Sequence, residues 1–357
     1  MTSGSKQYNY CLDFIKGIAC ICVVLMHCEF PGTLGMLIQT MSRFCVPFFF
    51  MVSGYYWYRE RNPYDPQRIR RKVKHVLGIA VFATVLYVAF ALLQNIIWHD
   101  VPVKVTKSSI AMFLLFNEPS IVAGQMWFLY ALLYVYLLAW LMDKFHLQKF
   151  AYVWGAIMMV LLFVLGQGVH LIGGGIPVPH FILNDFGGNV PHLKDGMIPV
   201  PNFIYRNFLI EGTAFFMLGH WVHSHQDKLK FSNGTLLSVV LVFTVLCIGE
   251  RLLMHRDFGV NICTLPQVLA LFLYGIYNPS RHEGTVQRLG RDCSMLVYVL
   301  HPFVWHSLER VYTAIGVSDS IPAAYMLPVL VVLLTIALAL FCNYVMKILS
   351  ERKQIAA

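Results

Sequence analysis

The sequence predicts an all-α, polytopic integral membrane protein with about ten transmembrane helices and both termini in the cytoplasm. Three observations predict this class: 58% of the 357 residues are hydrophobic, only 13% are charged, and the mean hydropathy is +0.63. A soluble domain has about 45–50% apolar and about 25% charged residues. The deficit of charge excludes a soluble surface of this size. The composition also excludes a disordered, collagen-like or disulfide-stapled chain.

Apolar runs long enough to cross a bilayer, about 20 residues each, recur along the whole chain. The stretch 108–116 is a candidate for an additional short membrane-embedded helix. Because Met1–Tyr10 is polar, we expect no cleavable signal peptide, and the first span would then be an uncleaved anchor. The ten predicted spans are 11–30, 37–57, 75–97, 124–142, 150–172, 207–223, 232–250, 262–278, 292–314 and 325–346.

The distribution of basic residues predicts the orientation. Ten spans put both termini on one side, and eighteen of the 27 Lys and Arg residues fall on that side. Seven fall on the other side, and two, Lys16 and Arg43, lie within spans. The positive-inside rule therefore places the termini in the cytoplasm. The membrane topology then explains most of the net charge of +9. Membrane lipids are the expected partner of the basic residues, and nucleic acid is not expected.

The chain is predicted to form a single transmembrane domain, 1–357, with short connectors and two exceptions. Residues 58–74 form a basic cytoplasmic loop, and residues 173–206 form a long outer loop rich in Gly, Pro and Asn. A connector of about 30 residues is usually functional or disordered. The nine cysteines include no CxxC pair, and HxxHxH at 220–225 is weak support for zinc. We therefore predict no metal site and no bound cofactor.

Ionisable residues inside apolar spans are functional hypotheses by default, because each costs free energy in hydrocarbon. In the first span, Lys16 and His27 are eleven residues apart, about three turns, so they share one helix face. The alternative is that Lys16 snorkels to the inner headgroups and His27 meets water at the outer end.

The second span has a buried arginine and a helix-breaking proline. Arg43 lies about a turn into the membrane, and Pro47 frees a backbone carbonyl. Ser53, Gly54 and Tyr55 follow near the inner end. Small residues also let membrane helices pack closely, so Ser53 and Gly54 have a structural explanation too. Arg43 fits that explanation less well, because a guanidinium does not lose its charge.

These motifs together resemble the membrane-bound acyltransferase 3 family. They are Asp13–Ala19 (DFIKGIA), the ten residues between Lys16 and His27, Ser42-Arg43 followed by Val46–Tyr55 (VPFFFMVSGY), the basic stretch Arg68–His75, Trp127–Leu129 (WFL) and Ser294–His301 (SMLVYVLH). Within that family the layout is most similar to the branch with the enterobacterial common antigen O-acetyltransferase.

The resemblance implies a fold and an activity. It implies about ten helices in a bacterial inner (plasma) membrane. It also implies transfer of an acyl group, usually acetyl from acetyl-CoA as co-substrate, to a hydroxyl of an envelope carbohydrate or lipid-linked sugar. Histidine titrates in the range needed to remove a proton from such a hydroxyl. A homo-oligomer is compatible with the sequence.

The family's basic residue–ten residues–histidine motif falls on Lys16 and His27, with Lys where Arg is more usual. The predicted catalytic residues are His27, Lys16 and Arg43. The predicted donor-binding residues are Arg68, Arg70, Arg71, Lys72, Ser53 and Tyr55. The CoA phosphates need cations, and the basic residues that fit this need are Lys16, Arg68, Arg70, Arg71 and Lys72. For four of these five, the positive-inside rule alone is a sufficient explanation. A developing oxyanion needs a hydrogen-bond donor, which Ser53, Tyr55, Arg43 or Gln125 could supply.

The predicted acceptor-binding residues are Gln125, Trp127, Glu211 and His301. Gln125 stands where many relatives carry a histidine, which leaves it at most a hydrogen-bonding role. His301, in YVLHPF, is as compatible with helix packing as with a second functional histidine, and Pro302 is expected to free a carbonyl for it.

The alternative function is a membrane transporter of an acyl group or lipid-linked sugar, with the same buried charges lining its pathway. Transporters of that kind usually show repeated halves or paired broken helices, and the sequence has no clear repeat.

Overall fold

The computed structural model of the protein describes residues 9–58, 64–99, 106–119, 123–175, 200–280 and 282–355. Helices make up 82% of the structure, and none of the described residues lies in a strand. The all-α prediction is therefore confirmed. The main helices are α1 (Tyr10–His27), α2 (Gly32–Met41), α3 (Cys45–Tyr55), α4 (Pro66–Trp98), α5 (Lys107–Phe116), α6 (Trp127–Lys144), α7 (Gln148–Phe163), α8 (Thr213–His225), α9 (Asn233–Met254), α10 (Thr264–Tyr277), α11 (Ser294–Ala314) and α12 (Ile321–Ile355).

Short irregular turns interrupt this helical chain. Ser42–Phe44 and Gly124–Met126 are 3₁₀ turns that lead into α3 and α6. Three π-turns, at Val164–Gly168, Phe208–Gly212 and Leu289–Cys293, follow α7 and precede α8 and α11. Such π-turns occur frequently at functional sites. Three further short helical pieces are Val169–Leu171, Asn202–Tyr205 and Thr285–Arg288.

The helices make this a multi-pass membrane protein. Each of the ten predicted spans overlaps one or more helices, although the number of membrane crossings and the side of the termini stay predictions. The apolar helix α10 has only 14 residues, which is short for a crossing. Seven segments of the described chain are long and apolar enough to cross a membrane: Tyr10–His27, Gly32–Tyr55, Pro66–Trp98, Gly124–Lys144, Gln148–Leu171, Asn233–Met254 and Ile321–Arg352.

The longest apolar helices expose large hydrophobic side chains. Val85 on α4, Leu241 on α9 and Phe341 on α12 are each more than 60% exposed. In water such surfaces would be unfavourable by about 25 cal/mol per Å² of apolar area. In a bilayer they face lipid tails, so the exposure agrees with the assignment of these helices as spans.

The basic segment 58–74 is only partly a loop, which corrects the prediction. Residues 59–63 lie outside the described chain, and α4 begins at Pro66. The Asp65 carboxylate accepts hydrogen bonds from the backbone N–H groups of Gln67 and Arg68 at 3.1 and 3.2 Å. Proline at the first helical position needs no donor there, so the Asp-Pro pair starts the helix. The basic residues on its first turns are Arg68, Arg70, Arg71, Lys72 and Lys74.

The predicted outer loop 173–206 is described only at its ends. Residues 176–199 lie outside the described part of the chain. Its last residues form the helical turn Asn202–Tyr205, followed by Arg206.

The chain divides into two compact units. The first unit is Met1–Phe48, Phe231–Arg251 and Cys263–Ala357, and the second unit is Phe49–Lys230 and Leu252–Ile262. The boundary between them falls inside α3. The prediction of a single domain for 1–357 stays a prediction.

Helix α1 is the centre of the first unit. It packs against α2, α10, α11, α12 and the turn that precedes α11. A Cβ atom on Gly17 would overlap the Val286 carbonyl, and one on Gly290 would overlap the Asp13 carbonyl. The two backbones therefore touch, as small residues allow in membrane proteins. This contact fixes α1 beside the turn that precedes α11.

The second unit is built in the same way around α3 and α8. A Cβ on Gly54 would overlap the Phe216 carbonyl, and one on Gly219 would overlap the Met51 carbonyl. Helix α6 packs against α4 and against the π-turn Phe208–Gly212, and α7 packs against α8. Close packing therefore joins α3 to α8 and positions the π-turn before α8 against α6.

Candidate active site

Two histidines meet in the first unit. His27 is the last residue of α1 and is half-buried, whereas His301, on α11, is fully buried. Their imidazole ring centroids are 5.3 Å apart, and the ring planes differ by 24°. The fold thus stacks the predicted catalytic histidine on a predicted acceptor-binding histidine.

The position of Pro302 determines which nitrogen of His301 carries the hydrogen. Proline has no N–H, so the Tyr298 carbonyl, four residues earlier, loses its helical donor. The His301 Nδ1 atom lies 2.8 Å from that carbonyl oxygen, which confirms that Pro302 frees a carbonyl for His301. Because a carbonyl only accepts, Nδ1 must donate, and the neutral ring keeps a lone pair on Nε2.

That Nε2 atom is buried and has no hydrogen-bond partner among the described residues. An unsatisfied buried acceptor of this kind costs about 1–3 kcal/mol, so such atoms are rare in folded proteins and need an explanation. A substrate hydroxyl that donates to Nε2 would supply the missing bond.

Lys16 lies at the other end of α1 and is paired with an acid. Its Nζ atom is 2.6 Å from Asp13 Oδ1, one turn earlier on the helix, and Asp13 is almost fully buried. Asn9 caps the start of this helix by accepting from the Leu12 N–H. The pair explains how the charge of Lys16 is tolerated there. Lys16 is about three turns from His27 along α1, and its catalytic role stays a prediction.

Arg43, the third predicted catalytic residue, is 8% exposed and lies in the 3₁₀ turn Ser42–Phe44. That turn packs against α1, so Arg43 belongs to the same unit as Lys16, His27 and His301. A buried guanidinium stays charged and provides positive charge inside this unit. Its catalytic role stays a prediction.

The basic turns of α4 contain two kinds of cation. Arg68 donates from Nη2 to the Trp57 carbonyl at 2.9 Å, and Lys72 donates from Nζ to the Tyr56 carbonyl at 3.0 Å. Both cations also lie within 6 Å of the Trp57 ring centroid, a stabilising cation–π distance. Arg70 and Arg71 are exposed. Arg68 and Lys72 therefore hold the backbone at Tyr56 and Trp57, directly after α3, against the start of α4, and Arg70 and Arg71 are exposed.

The other two predicted donor-binding residues make hydrogen bonds within the second unit. The Ser53 hydroxyl donates to the Phe49 carbonyl at 2.9 Å, and the Tyr55 hydroxyl donates to Gln226 Oε1 at 2.7 Å. Each hydroxyl would have to break this bond to donate one to a substrate.

Trp127 and Glu211, two predicted acceptor-binding residues, are joined by a residue that the sequence analysis did not select. The Arg206 guanidinium carbon lies 5.0 Å from the Trp127 ring centroid, and Arg206 Nε lies 3.4 Å from Glu211 Oε2. Gln125 is half-buried in the 3₁₀ turn directly before Trp127. The sequence signal for Arg206 was weak: it is an arginine at the end of a long outer segment, five residues before a glutamate.

The histidines at 220–225 point to different partners. His220 Nδ1 is hydrogen-bonded to the Tyr152 hydroxyl at 3.0 Å, His223 Nδ1 donates to the Tyr55 carbonyl, and His225 stacks on Trp221. Within the described chain, no group of three or more His, Cys, Asp or Glu side chains is placed to hold a metal ion.

The predicted site residues divide between the two units. The first unit contains Lys16, His27, Arg43 and His301, and the second unit contains Ser53, Tyr55, Arg68, Arg70, Arg71, Lys72, Gln125, Trp127 and Glu211. The structure brings His27 to His301 and joins Trp127 to Glu211 through Arg206. Asp13 and Arg206 are charged residues of these clusters that the sequence analysis missed. The spacing of Asp13 and Lys16, three residues apart on a helix, was a usable signal.

Comparison with known proteins covers nearly the whole chain at the level of the family. Residues 9–347 match the family described as "Acyltransferase domain", acyltransferase 3. A serine/alanine racemase of Enterococcus gallinarum is 30% identical over 131 residues, which is 33% of this chain and 19% of the racemase. The chain thus matches only about a fifth of that relative. No solved structure is significantly similar to the chain. Because the family match extends across both units, the chain belongs to the acyltransferase 3 family and is a multi-pass membrane protein.

Proposed function

We propose that the protein is an O-acetyltransferase of the bacterial inner membrane, with acetyl-CoA as donor and a hydroxyl of an envelope carbohydrate or lipid-linked sugar as acceptor. The observation that supports this most directly is the stacked pair of His27 and His301, one half-exposed and one with an unpartnered buried lone pair. Acyl transfer to a hydroxyl needs a general base, and a histidine has a suitable pKa range for that role.

His27 is the general base in this proposal. Its imidazole takes the proton from the acceptor hydroxyl while the hydroxyl oxygen attacks the thioester carbonyl. The new C–O bond forms, the C–S bond breaks, and the CoA sulfur leaves as a thiolate that recovers the proton from the His27 imidazolium. His301 Nε2 accepts a hydrogen bond from the acceptor and orients it. The buried Arg43 guanidinium stabilises the negative charge on the tetrahedral intermediate.

The donor end of the proposal rests on charge. The phosphates of CoA require cations, and the predicted topology places the start of α4 on the cytoplasmic side. Within the second unit, the exposed Arg70 and Arg71 supply two cations there. Lys16, in the first unit, is a further cation of the proposal and is paired with Asp13. Arg68 and Lys72 contribute mainly by holding the backbone directly after α3, because they donate to the Trp57 and Tyr56 carbonyls.

The proposal is tested by acetyl transfer in detergent. Purified protein is mixed with radiolabelled acetyl-CoA and an envelope glycolipid extract, and labelled product is counted. We expect His27→Ala and His27→Gln to lower the transfer rate by about 100-fold or more, the usual contribution of a general base. His306→Ala, on α11 and paired with Glu309, is the matched control and should keep the native rate.

Full activity of both His27 variants would disprove the assignment of the base. The same assay separates the enzyme from the transporter. Micelles have no two compartments, so transporter activity alone would give no labelled product. Wild-type protein that forms no labelled product with any extract would contradict the proposed acetyltransferase.

A further inference from the structure

Arg206 is held rigidly in the second unit. Its Nε donates to Glu211, which is fully buried, and its guanidinium lies over the Trp127 ring. A Cβ atom on Gly259 would overlap the Arg206 side chain, so only glycine leaves room for it. Gly259 has φ of +78°, which glycine adopts without strain. The arginine is therefore preorganised by three neighbours before any ligand binds.

The neighbouring elements are fixed as well. Asn117, fully buried after α5, donates from Nδ2 to the Trp127 carbonyl and accepts at Oδ1 from the Phe208 N–H. It thus ties the start of α6 to the π-turn that carries Glu211. Glu118 follows directly, close enough for Arg206 to act on its charge.

The terminal nitrogens of Arg206 remain available. Its hydrogen bond within the described chain uses Nε, and neither Nη1 nor Nη2 has an acceptor there. The side chain is 17% exposed, so the two amino groups are accessible. An arginine in this state offers two parallel N–H donors with the geometry of a carboxylate or phosphate.

Glu118 interacts electrostatically with Arg206. Burial raises the pKa of Glu118 to about 7, although the Arg206 charge acts in the opposite direction. Near neutral pH a large part of Glu118 is then protonated. The Glu211 carboxylate balances the Arg206 guanidinium, and the cluster has no net charge when Glu118 is neutral.

We propose that Arg206 binds an oxyanion, either a sugar carboxylate or a phosphate, through Nη1 and Nη2. This inference concerns the second unit, goes beyond the proposed function and does not rest on it. A neutral sugar hydroxyl would use one donor at a time, whereas an oxyanion uses both. The stacked indole excludes water from one face of the guanidinium and strengthens the contact.

The test is a binding experiment that needs no catalysis. Saturation-transfer NMR on the purified protein in detergent measures Kd for methyl glucuronide, glucose 1-phosphate and uncharged methyl glucoside. We expect one or both anionic probes to bind about 10-fold more tightly than the glucoside. Comparison of Kd for methyl glucuronide with Kd for glucose 1-phosphate shows whether the site binds a carboxylate, a phosphate or both. Arg206→Gln should abolish the preference, and Arg206→Lys should reduce it because lysine lacks the fork.

Arg256→Gln is the matched control. Arg256 lies in the same unit and over an aromatic ring, that of Phe258, but its Nη2 already donates to the Val200 carbonyl. This variant loses the same charge and should keep the anion preference. Equal binding of all three probes by the wild type, or a preference that survives Arg206→Gln, would overturn the proposal. Arg206→Lys keeps a cation beside Glu211, so it covers the case in which Arg206→Gln does not fold.

Glu118 gives a second, independent measurement. Above pH 7 the Glu118 carboxylate adds negative charge beside Arg206, so methyl glucuronide should bind several-fold more weakly at pH 8 than at pH 6. The charged groups around this carboxyl in the described chain are Arg206 and, beyond it, Glu211. Glu118→Gln should remove the pH dependence and keep the anion preference, whereas an unchanged pH dependence would contradict the role of Glu118. All these measurements are of ligand binding, whereas the His27 test measures acetyl transfer. A negative result in one experiment therefore does not change the interpretation of the other.

Discussion

The side chain with the clearest chemical signature is His301. Its Nδ1 donates to a carbonyl that Pro302 leaves free, and its Nε2 is buried without a partner among the described residues. A packing histidine would normally satisfy both nitrogens. The arrangement instead resembles a catalytic or substrate-binding histidine, in which one nitrogen is fixed by the protein and the other faces the ligand.

Two substitutions at His301 separate binding from packing. His301→Asn keeps a donor for the Tyr298 carbonyl and removes the Nε2 acceptor, whereas His301→Gln places an amide group near the Nε2 position. If Nε2 binds the acceptor, the Asn variant should lose about 10-fold or more in kcat/KM for the acceptor and the Gln variant should lose less. Initial rates at varied acceptor concentration measure this.

Packing alone makes a different prediction for the same pair. Both variants lose the stacking on His27, so both would then lose similar activity and their melting temperatures would fall together. Equal kinetic losses in the two variants would therefore contradict a binding role for Nε2.

The interpretation of the Lys16 charge changes once its partner in the fold is known. Taken alone, its ammonium is either a donor-binding cation or a group that snorkels to the headgroups. The ion pair with Asp13 at 2.6 Å places it in a half-buried, compensated environment instead. A phosphate that binds there would share Lys16 with Asp13.

At the scale of elements, close backbone contacts at glycine hold the helices that carry the candidate residues. Gly17 lies one residue after Lys16 and touches the Val286 carbonyl, and Gly290 touches the Asp13 carbonyl. Helix α1 therefore rests directly on the turn that leads into α11. His27 and His301 lie farther along these same two helices, so this contact sets the geometry of the histidine pair.

Gly17→Ala tests that contact. The added methyl group would overlap a backbone carbonyl that has no side-chain freedom to move away. We expect a loss of about 1–3 kcal/mol of stability, seen as a lower melting temperature in detergent, together with reduced acetyl transfer. Gly249→Ala on α9, where a Cβ meets nothing within 4 Å, is the control and should be neutral or slightly stabilising. A Gly17→Ala protein as stable and active as the control would show that α1 can move away from the turn at no cost.

The start of α4 shows a second effect at this scale. Asp65 and Pro66 start the helix before the basic residues. The basic side chains therefore point in different directions around the helix axis instead of extending from a loop. Arg68 and Lys72, four residues apart, share the face against Trp57, and Arg70 and Arg71 face outward. The helix thus divides one basic run into a structural pair and an exposed pair.

At the scale of the whole molecule, the distribution of Lys and Arg predicts the topology. Helix α9, Asn233–Met254, is a 22-residue apolar segment between Lys228-Lys230 on one side and Arg256 on the other. Reporter fusions after residues 230 and 255 measure on which side each end lies. We expect alkaline phosphatase to be inactive after 230 and active after 255, since that enzyme works only outside the cytoplasm. The reverse pattern would invert the topology and place Lys16 on the outer side, and activity at neither position would remove α9 from the spans.

Much of the fold was already determined by the sequence. Hydropathy and charge gave the all-α membrane class, because a bilayer requires every backbone polar group of a span to be bonded within its own helix. The ten predicted spans all fall on helices, although individual ends differ by several residues. Helix α4 starts at Pro66, nine residues before its predicted span. Hydropathy misses this start because the first turns of the helix are basic and not apolar. The family resemblance, confirmed by the match over residues 9–347, also follows from local motifs.

Only the tertiary structure decided which distant residues meet. Periodicity on α1 put Lys16 and His27 on one face, but nothing local relates His27 to His301 or Trp127 to Arg206. Those contacts depend on how separate helices pack. Small residues such as Gly17, Gly290 and Gly259 permit close approach between segments, and the sequence pattern of a single segment does not predict such an approach. The sequence by itself determined that this membrane protein has charged residues within its apolar spans, and it identified them as Lys16 and Arg43. The packing of its helices decided their partners, because the free energy of a buried polar group depends on the atoms that surround it.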